Sequence, residues 1–222
     1  MGYLIGYDVG SSSVKASMLE AETGKIVATA TSPDGTELEI MAPKPGWAEQ
    51  HPSVWWDHIK LVTAKIKEKA GVSLEDVVAI GISYQMHGLV LVDQKQEVLR
   101  PAIIWCDSRA VEIGDQAFAE IGEETCLQQF LNSPGNFTAS KLKWVQDNEP
   151  ELYQKVDKAM LPGDFIAMKL TGEVKTTPSG LSEGILWDFV QNDLAQRILE
   201  YYQIDPSLLP EAVPTFSIQG EL

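Results

Sequence analysis

The stretch Met1–Lys15, M-G-Y-L-I-G-Y-D-V-G-S-S-S-V-K, decides the fold class. An apolar run, Tyr3–Tyr7, carries one carboxylate, Asp8, to a strand end. Gly10 then turns the chain through Ser11, Ser12 and Ser13, and Val14 opens a second strand. Such a strand–turn–strand gathers N–H and hydroxyl donors beside an acid. That suits a polyphosphate with its divalent cation: the donors face phosphate, and Asp8 faces the metal or its water. Lys15 adds a point charge for a phosphate. The competing reading is a tight turn with Gly10 at positive φ and Asp8 capping it. Neither Gly-x-x-x-x-Gly-Lys-Ser/Thr nor Gly-x-Gly-x-x-Gly occurs, so the chain carries neither a P-loop nor a dinucleotide fingerprint.

Working outward, Val14–Leu19 and Lys25–Thr31 read as further strands, completing an antiparallel meander. After a Pro/Gly-rich loop, a helix is predicted from Pro52 to Ala70. Trp55, Ile59, Val62, Ile66 and Ala70 form one apolar stripe, Pro52 suits the first turn and Gly71 stops it. Val77–Ser83 is a continuous apolar run, as expected of a strand buried on both faces. Leu89–Asp93 and Glu97–Leu99 read as a hairpin around Gln94-Lys95, and Pro101–Trp105 as a short strand. Helices are predicted over Ser108–Ile121, Glu123–Leu131, Ala139–Asp147, Gly163–Leu170 and Asp193–Tyr202. This order implies a mixed sheet with helices on its faces.

Composition narrows the function. With 222 residues and 44% hydrophobic content the chain has ample length for a core. A net charge of −15 argues against nucleic acid and anionic membrane as partners, and obliges any nucleotide site to use Mg²⁺ and local donors. The two cysteines, Cys106 and Cys126, form no CxxC and no zinc spacing, so reduced thiols and a cytoplasmic setting are expected. No signal peptide is apparent, and no run approaches the roughly 18 apolar residues of a membrane span.

Four stretches, in order, resemble the N-terminal half of FGGY-type carbohydrate kinases, and within them the xylulokinases. They are Asp8–Lys15; Gly46-Trp47-Ala48-Glu49-Gln50-His51-Pro52 leading to Trp55-Trp56; Gly81-Ile82-Ser83-Tyr84-Gln85-Met86-His87-Gly88; and Arg100-Pro101-Ala102-Ile103-Ile104-Trp105-Cys106-Asp107-Ser108-Arg109. The Gln-Met-His-Gly segment carries the likeness to xylulokinases rather than glycerol kinases. The resemblance implies an α/β, actin/Hsp70-like (ribonuclease H-like) ATPase domain, with a mixed five-stranded sheet and flanking helices. It implies transfer of phosphate from ATP to a hydroxyl of a ketopentose, D-xylulose to xylulose 5-phosphate. Asp8 would serve Mg²⁺, and Gly10, Ser11, Ser12, Ser13 and Lys15 would face the phosphates. Gln85, Met86, His87, Gly88, Trp105 and Asp107 would line the sugar pocket. Chemically those types suit a sugar, with planar polar groups for hydroxyls and an aromatic or apolar wall for C–H faces. For Trp105 alone core packing is the competing reading, and for His87 alone a structural histidine.

The resemblance also implies partners. Residues 1–222 would be the sugar-binding half, with 206–222 opening an interdomain connector to a C-terminal domain beyond Leu222. That domain would hold the general base in a Gly-Asp-Asn motif, which occurs nowhere here. The chain alone is therefore expected to be inactive or nearly so, since half a cleft cannot position a phosphoryl transfer. Two departures bear on substrate fit. Gly163-Asp164 stands where relatives often carry Lys-Asp, and Thr176-Thr177-Pro178-Ser179 lacks an acid often found there. The alternatives are another actin-like ATPase, against which the Gln-Met-His-Gly and Trp-Cys-Asp segments argue, and a non-catalytic sugar- or partner-binding protein. Gly180-Leu181-Ser182-Glu183-Gly184 matches a hydrolase nucleophile elbow. That fold requires a His after the Ser, and His51, His58 and His87 all precede it. Glu49, His51, Asp57 and His58 follow no metal-ligand spacing and read as a solvated face.

Overall fold

A computed structural model describes residues 2–222. It contains two compact units, the first made of the described residues through Ile40 together with His51–Gln85, the second of Met41–Gln50 and Met86–Leu222.

The first unit begins with the meander β1 (Tyr3–Val9), β2 (Val14–Glu20) and β3 (Ile26–Ser32). A two-residue strand, β4 (Glu49–Gln50), belongs to the second unit and precedes α1 (Pro52–Ala70); β5 (Val77–Tyr84) then closes the first. The sheet order is β3-β2-β1-β5, with β1 antiparallel to β2 and parallel to β5. The sheet is thus mixed, with four hydrogen-bonded strands rather than the expected five among the described residues. The other apolar segments form separate short ladders.

Helix α1 has the predicted limits, because its ends are chemically marked. His51 caps the N-terminus by accepting from the Ser53 N–H, Pro52 follows, and Gly71 ends the helix at φ 65°, a conformation that favours glycine. Its stripe of Trp55, Ile59, Val62 and Ile66 is buried where α1 crosses β2 and β3. Each such side chain contributes about 1.5–3 kcal/mol of transfer free energy. Alternation along β1 turns Ile5, Tyr7 and Val9 inward, and the Tyr7 hydroxyl lies 2.6 Å from Thr63 Oγ1 of α1. Asp8, one residue out of phase, stands on the opposite face.

The strand expected over Val77–Ser83 forms as β5, but it is not buried on both faces. β5 is an edge strand paired only with β1, and Val78 is 66% exposed. Helix α1 covers β2 and β3, so β5 lies beyond its reach. An apolar run records what a strand lacks, not what covers it.

The second unit continues with β6 (Val90–Val92), β7 (Ala102–Ile103), α2 (Val111–Ile121), α3 (Glu123–Gln129), α4 (Thr138–Asn148), α5 (Pro150–Tyr153), β8 (Lys158–Met160) and α6 (Pro162–Thr171). Then follow β9 (Lys175–Thr176), α7 (Pro178–Glu183), β10 (Trp187–Asp188), β11 (Asp193–Leu194), α8 (Gln196–Tyr202) and β12 (Glu211–Ala212). Ladders β4–β7 and β6–β8 sit against a core that includes Leu89, Ile103, Leu142, Val145, Ile198 and Tyr202. Two predicted helices start late: Val111 rather than Ser108, and Gln196 rather than Asp193, whose residue pairs in β11 instead. The hairpin at Gln94-Lys95 forms, with Asp93 Oδ1 accepting from the N–H groups of Lys95 and Glu97. Within the stretch read as opening a connector, Leu209 is buried and β12 pairs parallel with β9. Among the described residues no helix is long and apolar enough to cross a membrane.

Candidate functional site

On the first unit, Asp8 and Lys15 are directly opposed across β1 and β2, their charged atoms 3.3 Å apart and both side chains about half exposed. The turn between them closes with the Gly10 N–H donating to the Ser13 carbonyl at 3.0 Å. Gly10 is not among the glycines at positive φ, contrary to the tight-turn reading. A Cβ there would sit 3.1 Å from the Ser13 carbonyl oxygen, a close approach of the backbone. Asp8 pairs with Lys15 rather than capping the turn. The Ser12 carbonyl takes the Leu38 N–H. Ser12 is exposed, with Ser11 and Ser13 half-buried. Gln85 joins this strand end, its N–H donating to the Val9 carbonyl at 2.9 Å, and its side chain is buried. One exposed, hard oxygen donor beside hydroxyls fits Mg²⁺, which is held through one or two carboxylates plus phosphate oxygens. Among the described residues no group of three or more potential metal ligands exists.

The second unit holds the other predicted residues. His87 has φ 59°, an uncommon conformation for a non-glycine residue. Its Nδ1 lies 2.8 Å from the Glu183 carbonyl, so Nδ1 carries the proton and Nε2 is the acceptor. Burial lowers its pKa, with the Lys141 charge acting in the same sense, so the ring is neutral at pH 7. Its edge meets Phe137 at 4.4 Å between centroids. Gly88 is required by packing, since a Cβ would meet Pro162 Cγ at 2.6 Å. Met86 and Trp105 are 54% and 50% exposed, so Trp105 is not a core residue.

Asp107 is placed differently from the others. Its side chain is fully buried, and its carboxylate accepts from the Ala48 N–H at 2.6 Å, from the Arg109 N–H at 2.8 Å and from Arg109 Nε and Nη2. Arg109 also reaches Glu49 at 2.7 Å, and Glu49 is shared with Arg100, which binds Glu149 through its other nitrogen. Trp47 and Trp144 flank the Arg109 guanidinium at 3.8 and 4.9 Å, with their own rings edge-on. Asn136 donates to the Asp107 carbonyl. The result is a buried charge cluster beneath the Trp105–Asp107 loop.

Sequence reasoning gave no role to Arg100, Arg109, Trp144, Asn136 or Lys141. Lys141 offered a signal, being a charged residue on the buried side of α4 next to Ala139 and Leu142. The cluster offered little, because its members are scattered along the chain. Several decoys resolve as structure. Glu49 is paired with arginines, His51 caps α1, and Asp57 is exposed and paired with Lys60. His58, read as solvated, is half-buried with its Nδ1 at 2.9 Å from Ser32 Oγ. The Gly180–Gly184 segment lies on α7 and its C-cap, with Ser182 Oγ donating to the Ser179 carbonyl, so no nucleophile elbow exists there. Asp164 caps α6 by accepting from the Leu161 N–H at 3.2 Å, and burial raises its pKa to about 7.

Comparison with known proteins places the chain as a whole. The family model "FGGY family of carbohydrate kinases, N-terminal domain" matches residues 3–222. A xylulose kinase of Escherichia coli (strain K12) is 36% identical over 219 residues, which is 98% of this chain and 43% of that protein. One from Klebsiella pneumoniae is 35% identical over 98% of this chain and 44% of its own length. The crystal structure of xylulose kinase from Rhodospirillum rubrum superposes with a TM-score of 0.86 at 29% identity, covering 98% of this chain and 44% of that one. The chain therefore spans less than half the length of the relatives it matches.

Proposed function

The chain belongs to the FGGY family of carbohydrate kinases, and on that premise we propose that the whole protein transfers the terminal phosphate of ATP to a hydroxyl of D-xylulose, giving xylulose 5-phosphate. The observation that carries the sugar half of this reading is His87. The left-handed backbone and the bond to Glu183 fix the ring, leaving Nε2 as an acceptor beside exposed Met86. A neutral imidazole acceptor takes a hydrogen bond from a sugar hydroxyl, and the apolar Met86 and Trp105 surfaces cover C–H faces. Gln85 and Gly88 flank the turn. Asp107 acts through Arg109, holding the loop that presents Trp105.

In the phosphate half, Asp8 holds Mg²⁺, while Lys15 and the Gly10–Ser13 turn meet phosphate oxygens. Bound MgATP supplies the phosphoryl group and the cation that offsets charge developing on it. Asp8 and Lys15 are an exposed pair worth little to stability, about 0–1 kcal/mol, so both charges are available to a ligand at small cost. In this reading the architecture is of the actin/Hsp70-like type. The base that removes the hydroxyl proton and the adenosine site come from a second, C-terminal domain. This chain alone is then inactive or nearly so.

The test is an assay of phosphorylated sugar with D-xylulose, ATP and Mg²⁺, with and without an added C-terminal kinase domain. Product only with that domain is expected. Robust product from this chain alone would overturn the assignment of the base. No product in either case, together with no binding of D-xylulose, would overturn the sugar-kinase reading.

A further inference from the structure

Lys141 is fully buried on α4. Its ammonium donates to the His87 carbonyl at 2.7 Å and to the Ile104 carbonyl at 3.0 Å. One carbonyl belongs to the turn that carries Met86 and His87; the other immediately precedes Trp105. We propose that Lys141 is a positioning residue for sugar binding, a staple that sets the His87 turn and the Trp105 loop at a fixed separation; this rests on the sugar-kinase reading above.

Burying an ammonium is costly, and an apolar side chain of the same volume is often as stable or more so. Space-filling alone therefore does not account for a lysine here. Burial pulls its pKa down to about 8, partly offset by Asp107 and Cys106 and reinforced by Arg109. The staple does not depend on that titration, since an ammonium has three N–H bonds and a neutral amine two, and two carbonyls are to be served. The His87 turn needs such an anchor because its backbone occupies a disfavoured region, which persists only where surrounding structure over-determines it. The Trp105 loop is held from below by Asp107 and Arg109; the Leu89–Ile103 backbone bridge joins the two segments just outside the site, and Lys141 adds a side-chain link at the turn itself.

The test uses the 222-residue chain, with D-xylulose as the probe and the exposed thiol of Cys106 as the reporter, alkylated by iodoacetamide. Lys141→Met removes both hydrogen bonds at similar length, and Lys141→Gln retains one donor group. Thermal unfolding establishes that each variant is folded. Adding D-xylulose to the unmutated protein should slow alkylation. Lys141→Met should weaken that protection by about 10-fold or more, with Lys141→Gln intermediate. Without sugar, and at a pH high enough to ionise the thiol fully, since loss of the Lys141 charge also raises the Cys106 pKa, Lys141→Met should raise the alkylation rate of Cys106. A folded Lys141→Met with unchanged sugar protection and unchanged basal alkylation overturns the staple. Failure of the sugar reading looks different: D-xylulose then protects nothing in the unmutated protein, while the basal rate still tests the staple. Should neither variant fold, hydrogen exchange in the unmutated protein is decisive. Without sugar, sub-global opening of 86–88 and 105–107 with one common free energy supports coupling, and opening of one without the other overturns it.

Discussion

Arg109→Met should destabilise the second unit by about 3–5 kcal/mol, the cost of breaking a buried ion pair by removing one partner. Arg109 is 1% exposed, Asp107 not at all and Glu49 8%, so water cannot replace what is lost. Methionine keeps the length and still packs against the Trp47 and Trp144 rings, so the cavity term is small. The cation–π contribution lost is about 0.5–2 kcal/mol and falls within the same total. What dominates is Asp107, which keeps only the Ala48 and Arg109 N–H donors for a buried charge. Urea unfolding followed by tryptophan fluorescence and far-UV circular dichroism reads the effect. At about 2–4 °C per kcal/mol for a protein of this size, Tm should fall by about 10 °C. A double-mutant cycle isolates the cause. Asp107→Asn should be destabilising in the native background but should recover about 1–3 kcal/mol beside Arg109→Met, because it removes the orphaned charge. A loss below about 1 kcal/mol for Arg109→Met, or an equal penalty for Asp107→Asn in both backgrounds, would refute the buried-pair account.

Asp164 carries a pH signature. Burial raises its folded pKa to about 7, above the unfolded value, so the folded protein holds a proton that the unfolded one releases. Stability should therefore be greatest below about pH 4 on this group's account and fall as pH rises to about 7. Asp164→Asn keeps an acceptor for the Leu161 N–H and removes the titration, so its urea midpoint should lose less between pH 5 and pH 7; parallel pH profiles would sink the idea. Gly88→Ala should cost about 1–3 kcal/mol, because the new methyl meets Pro162 Cγ at 2.6 Å. Gly81→Ala, where nothing lies within 4 Å of a Cβ, is the control and should stay near neutral. Equal melting temperatures for the two alanine variants would contradict the packing argument.

These predictions fall where the sequence was least legible. The meander and α1 were readable because their signals are local: alternation in Tyr3–Val9, the four-three stripe from Trp55 to Ile66, Pro52 at the start and Gly71 at the end. The exposure of Val78 was not, because it depends on which strands α1 crosses, a tertiary fact that periodicity does not encode. The helix start expected at Asp193 moved to Gln196 because Asp193–Leu194 pair with Trp187–Asp188, a contact that periodicity does not encode.

The candidate site divides along the same line. The family resemblance implied that Gln85–Gly88, Trp105 and Asp107 line one pocket, but a resemblance is silent about which polar atoms are already used. Asp107 and His87 show the difference. Both are polar residues after short apolar runs, yet Asp107 spends its carboxylate on Arg109 and the Ala48 N–H, whereas His87 spends only Nδ1 and keeps a second ring nitrogen as acceptor. Only a count of donors and acceptors separates a group that builds the loop from one able to meet a ligand. The count depends on Glu49, Arg109, Lys141 and Glu183, residues that mostly lie far in sequence from the groups they occupy. The motif Trp105-Cys106-Asp107-Ser108-Arg109 is therefore as much a folding instruction as a binding one: its acid and its arginine satisfy each other, and what remains for a ligand is the exposed tryptophan they hold in place.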